Sequence, residues 1–130
     1  MSMEITLGKN QRVTAHYKGK ELLTDQPEKA GGDNEALAPF DLFMASIGTC
    51  AGWYVKSFCQ QRNLPEEGIK LTQKAKFNKE KGLIDNIEIE IHLPEDFPEK
   101  YRTPLIKAAG ACTVKKHIMD APDFSIVTSK

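Results

Sequence analysis

A surplus of either charge is what this sequence most plainly lacks: 18 Lys and Arg are cancelled by 18 Asp and Glu. No run of more than two consecutive basic residues occurs, so the electrostatic footprint of a nucleic-acid binder is missing. No uninterrupted apolar stretch approaches the roughly 18 residues that a membrane span requires. The start, Met1-Ser2-Met3-Glu4, lacks the basic and apolar regions of a signal peptide. A cytoplasmic protein with no membrane or nucleic-acid partner is therefore expected. A Cys-x-x-Cys pair, a glycine-rich phosphate loop, a Ser-centred elbow and a paired-carboxylate arrangement are also missing. His16, His92 and His117 fall on separate elements without ligand spacing, so neither a metal nor a cofactor is expected. There are only three cysteines, an odd number that rules out full pairing within one chain. In a cytosolic protein they read as reduced, reactive or simply buried thiols.

What is present is ordinary globular material, 40% hydrophobic and 28% charged in 130 residues, which suits a single domain over 1–130. Residues 3–24 alternate apolar and polar side chains in three short runs. Gly8-Lys9-Asn10 and Lys18-Gly19-Lys20 form the turns between them, which predicts an antiparallel meander. Residues 25–38 hold Pro27, Gly31-Gly32 and Asp33-Asn34 with no periodicity, a long loop of the kind that often carries function.

From Pro39 to about Arg62 the period becomes helical. Phe43, Ile47, Cys50, Tyr54 and Phe58 share one face, widened by Leu42, Ala45, Ala51 and Trp53. Pro39 suits a first helical position and Asp41 a first turn. With so few polar residues between Leu42 and Val55, this helix should be buried almost all round. One sheet from a chain this short covers only one side of it, so burial in a subunit interface is inferred.

Asn63-Leu64-Pro65 ends the helix. Ile69–Phe77 and Ile87–Leu93 then alternate as a hairpin with lysines facing glutamates. Thr103-Pro104 reads as the N-cap and first position of a second helix, Leu105 to about Met119. A last strand follows at Phe124, Ile126 and Val127. The order β-β-β-α-β-β-α-β defines an α+β fold.

Cys59 lies nine residues after Cys50, on roughly the opposite side of one helix and ~13 Å along its axis. Disulfide-linked Cα atoms lie within roughly 7 Å, so any intrachain partner of Cys50 is Cys112. Gly110 costs about 1 kcal/mol inside a helix, and a break there would place Cys112 at the start of a fresh turn, where N–H groups stabilise a thiolate. Buried cysteine as a small hydrophobe remains the alternative reading.

The segment Ala38-Pro39-Phe40-Asp41-Leu42-Phe43-Met44-Ala45-Ser46-Ile47-Gly48-Thr49-Cys50 resembles the first-cysteine helix of the OsmC/Ohr family. Ala108-Ala109-Gly110-Ala111-Cys112-Thr113-Val114 resembles its second-cysteine motif. Strand order and the interval between the cysteines fit as well, so the resemblance spans nearly the whole chain. It implies an OsmC-like fold with antiparallel sheets and two long helices, assembled as an intertwined homodimer. It also implies a thiol-dependent peroxidase that reduces organic hydroperoxides, with Cys50 attacking and Cys112 resolving to a disulfide that an external dithiol resets. The family's activating arginine and its carboxylate would correspond to Arg12 and Asp41. Phe40 stands where well-characterised members carry Glu, and Thr113 where they carry Pro, a pattern closer to the YhfA-like branch. Two other readings compete: a dimeric protein that binds an apolar or thiol-containing small molecule without turnover, and a redox sensor.

Overall fold

A computed structural model describes residues 1–129. They form two compact units, Met1–Ala45 and residues 46–129, joined through one continuous helix.

The first unit is a meander of β1 (Glu4–Leu7), β2 (Val13–Tyr17) and β3 (Lys20–Thr24), antiparallel in the order β1-β2-β3. Both turns need left-handed backbone, met by Asn10 at φ 53° and by Lys18 and Gly19 at 51° and 72°. The 25–38 loop is organised around Asp25, whose side chain is fully buried. Its carboxylate accepts the N–H groups of Gln26 (2.7 Å) and Glu35 (3.1 Å). A short 3-10 turn, Glu28–Ala30, leads into Gly31 and Gly32. A Cβ on Gly32 would lie 2.0 Å from the Gln26 carbonyl oxygen, so only glycine lets the loop close on itself.

Helix α1 runs Pro39–Gln61, within one residue of its predicted end. Asn63 at φ 54° and the bond from Leu64 N–H to Cys59 O (2.9 Å) terminate it. Its buried stripe is Ile47, Ala51, Val55, Phe58 and Cys59; it keeps Ile47 and Phe58 of the predicted face, while Cys50 and Tyr54 are half-buried and Phe43 is exposed. The expectation of burial all round is not met within this chain: Phe40, Phe43 and Trp53 are 55%, 43% and 60% exposed. The reason is the one anticipated for a lone chain, a single covering sheet for a helix apolar on most sides.

In the second unit, β4 (Lys70–Asn78) and β5 (Leu83–His92) form the hairpin, with Lys74 directly opposite Glu88 and a bulge at Lys76/Phe77. The sheet lies close to α1 at Gly48, where a Cβ would meet Gln73 Oε1 at 2.5 Å. Val55, Phe58, Cys59, Phe97 and Leu105 make the core, flanked by Leu71, Ile91 and Leu93 of the hairpin region. Fully burying Leu105 contributes about 2–3 kcal/mol.

The predicted second long helix is two short ones, α2 (Arg102–Ala109) and α3 (Thr113–Met119). A 3-10 turn at Glu99–Tyr101 feeds straight into α2, so its N-cap is Tyr101 rather than Thr103, without a side-chain cap bond. Gly110 closes α2, and the chain breaks there before α3, as the helix cost of that glycine suggested. No strand forms at Phe124–Val127 among the described residues, and Ile126 is 95% exposed. A strand exists only with a pairing partner, and this segment has none among the described residues.

Candidate functional site

The break between α2 and α3 sets the site. Cys112 is the N-cap of α3 with extended-type backbone (φ −51°, ψ 126°), and its sulfur accepts the Lys115 N–H at 3.5 Å. It is almost wholly buried, while Cys50, midway along α1, is partly accessible. The structure places these two thiols close enough for each to act on the other's ionisation.

Their environments separate them chemically. Burial pushes the Cys50 thiol up, but the N–H of Val114, the Cys112 thiol and the N–H of Thr113 act against it, and together they leave Cys50 below its ordinary value. Burial dominates at Cys112 and raises it; the Lys115 N–H counteracts this only in part, and its bond to Cys50 raises it further. A single S–H proton is available at Cys112. Its other acceptor, Ile47 O, lies at 3.9 Å, so once Cys50 ionises the proton is better spent on the thiolate. The pair is thus unequal: Cys50 gives up its proton more readily than Cys112, whose thiol can donate to it. Cys59 sits in the core at 0% exposure, raised first by burial and then by Glu66, with Arg62 opposing. Burial and Glu66 thus both disfavour its thiolate.

The other two predicted site residues belong to the first unit. Arg12 does not pair with Asp41: its Nη2 donates to Asp33 Oδ2 at 3.3 Å, and its Nε lies 3.7 Å from Asp25 Oδ2. Asp41 instead accepts the Ala38 N–H at 3.2 Å, fixing the entry to α1. The carboxylates of the 25–38 loop thus hold the guanidinium, a competition invisible without the loop's path.

Sequence reasoning also missed a hydroxyl pair, Tyr54 Oη and Thr113 Oγ1, 2.9 Å apart beside the cysteines. Tyr54 falls on the helical face of Cys50, and that spacing was its only signal. Between β5 and α2–α3 lies a groove of about 870 Å³, lined by Ile47, Ile87, Leu105 and Ile118, with Cys112 in its wall and Arg102 and Lys115 among its polar residues. Among the described residues, no cluster of His, Cys, Asp and Glu is arranged to hold a metal ion, and no helix is long and apolar enough to cross a membrane.

An α+β chain with antiparallel sheets and a long helix carrying one of two facing cysteines is a recognisable class. The sequence model of the OsmC-like protein family matches residues 32–127, well over half the chain. The chain belongs to the OsmC-like family. None of the curated proteins matches it. Its fold is shared by a provisional osmotic stress induced and detoxification response protein from Psychrobacter arcticus (TM-score 0.76, 19% identity, 89% of this chain and 86% of that one). It is shared too by an organic hydroperoxide resistance protein OsmC from Legionella pneumophila (TM-score 0.56, 19% identity, 90% and 87%). A third relative, a provisional organic hydroperoxide resistance protein from Vibrio cholerae, has captopril bound in one of its active sites (TM-score 0.59, 17% identity, 95% and 88%).

Proposed function

We propose that this protein is a thiol-dependent peroxidase of oxidative-stress defence that reduces organic hydroperoxides. The observation that carries the reading is the unequal cysteine pair: a partly accessible Cys50 held towards its thiolate, with Cys112 in contact and kept as a thiol. The Cys50 thiolate attacks the outer oxygen of ROOH, the O–O bond breaks, and the departing alkoxide takes a proton to leave as the alcohol. Cys50 becomes a sulfenic acid. The Cys112 sulfur then attacks it, the S–O bond breaks, and water leaves with the disulfide formed. An external dithiol resets both thiols by two exchange steps and is itself oxidised. The high proton affinity of Cys112 keeps it from competing for peroxide in the first step.

The active unit we propose is a cytoplasmic homodimer of one OsmC-like domain each. Support comes from the aromatic side chains left exposed along α1 and from the unpaired apolar segment 124–127. We assign Arg12 and Asp41 to the framework of the first unit, because both already have partners there.

The groove beside Cys112 favours one second reading: binding of an apolar or thiol-containing small molecule without turnover, in line with the captopril-bound relative. Dithiol-dependent consumption of cumene hydroperoxide separates the two. Wild type is expected to turn over and Cys50→Ser to be inactive; an inactive wild type would leave the binding reading.

A further inference from the structure

Tyr54 has no part in the chemistry above, yet its hydroxyl meets that of the residue following Cys112. It lies one helical turn beyond Cys50 on α1, on the same side of the helix. Its hydroxyl is 2.9 Å from the Oγ1 of Thr113, and its ring is braced edge-on by Trp53 at 5.1 Å between centroids. Thr113 follows Cys112 and opens α3. Its N–H is directed at the Cys50 sulfur, and its carbonyl accepts from His117 Nδ1 at 2.8 Å. Seven residues of helix have little stability of their own. The cap from Cys112 is a weak sulfur acceptor at 3.5 Å. The first turn of α3 therefore needs an anchor outside itself.

We propose that Tyr54 is a positioning residue: its hydrogen bond to Thr113 fastens the first turn of α3 to α1, so that the main-chain N–H groups of Thr113 and Val114 stay aimed at Cys50. Its functional weight rests on the reading of Cys50 as the nucleophile.

The test is the pH dependence of Cys50 alkylation in the full-length protein with iodoacetamide, read by mass spectrometry. Trypsin places the three cysteines on separate peptides, 30–56, 57–62 and 108–115. Tyr54→Phe is expected to move the Cys50 profile to higher pH and to slow alkylation below its midpoint about threefold. Thr113→Val should do the same, the double variant no more than either single one, and Thr113→Ser should behave as wild type. A Tyr54→Phe profile that overlays wild type overturns the proposal, even if the melting temperature falls, because a merely structural hydrogen bond would lower stability alone. The readout needs no peroxide. A shifted profile in a protein that never consumes hydroperoxide supports the clamp while the peroxidase reading fails; an unshifted profile in an active enzyme does the reverse.

Discussion

Replacing Cys112 by alanine and by serine separates the two tasks this residue has in the account. As a resolving thiol it is needed after peroxide attack; as a hydrogen-bond donor it helps hold Cys50 as thiolate. Alanine removes both tasks, whereas serine keeps a donor and loses only the resolving sulfur. A hydrogen bond to a charged group contributes about 1.5–3 kcal/mol, which corresponds to roughly a 10- to 150-fold change in the thiolate fraction below the midpoint. A more basic thiolate is also a better nucleophile, with a Brønsted slope of about 0.4–0.5, so about half of that logarithm is returned. The net expectation for Cys112→Ala is alkylation of Cys50 slowed roughly three- to tenfold at fixed pH below the midpoint, with the profile displaced to higher pH. Cys112→Ser should stay close to wild type in this assay and accumulate sulfenic acid on treatment with one equivalent of hydroperoxide. The assay is peptide-resolved alkylation from pH 5 to 9 on the reduced protein. Equal profiles for wild type and the alanine variant would refute the donor role. Remaining activity would then rest on the main-chain N–H groups of Thr113 and Val114 alone.

Asp25 should make stability acid-sensitive. The Glu35 N–H is the strongest influence on it and lowers its carboxyl; burial opposes, and the N–H groups of Gln26 and Asp33 and the charge of Arg12 reinforce the lowering. A folded value below the unfolded one gives stability present above the ordinary carboxylate range and lost as pH falls through the folded value. Melting temperatures should therefore decline below about pH 5. The gap between wild type and Asp25→Asn should be widest at neutral pH and close in acid; a gap independent of pH would contradict the assignment. Arg12→Ala should leave the Cys50 alkylation profile where wild type has it while lowering the melting temperature, since its charge is committed to Asp25 and Asp33; a shifted Cys50 profile would restore Arg12 as an activator. Light scattering at micromolar concentration should give twice the 14.5 kDa of one chain, and a stable folded monomer would remove the proposed dimer.

Much of this was legible because local rules and tertiary structure agreed. The meander, the bounds of α1 and the lysine–glutamate hairpin follow from period and turn chemistry. The break at Gly110 that makes Cys112 a cap follows from one poorly helical residue. What failed depended on contacts between distant residues. The buried stripe of α1 turned towards Val55 and Cys59 because the hairpin and Phe97 pack there, which periodicity cannot choose on a helix apolar on most sides. Arg12 found Asp25 and Asp33 because a structureless-looking loop folds back over it. Residues 124–127 have strand-like composition, but a strand is a property of a pair. At the site, helix geometry already left Cys112 as the one intrachain neighbour for Cys50, whereas Tyr54 looked like core, its hydroxyl contact with Thr113 being a product of the tertiary fold.

Whether Cys50 and Cys112 act as one peroxide-reducing pair is decided by a single-turnover experiment. The reduced protein is treated with one equivalent of cumene hydroperoxide, digested without reductant, and its peptides mapped while cumyl alcohol is quantified. Peptide 30–56 is expected joined to peptide 108–115 within one chain, with the thiol of peptide 57–62 free and one alcohol released per disulfide. Unconsumed hydroperoxide with all three thiols free, or a disulfide that includes Cys59, would contradict it.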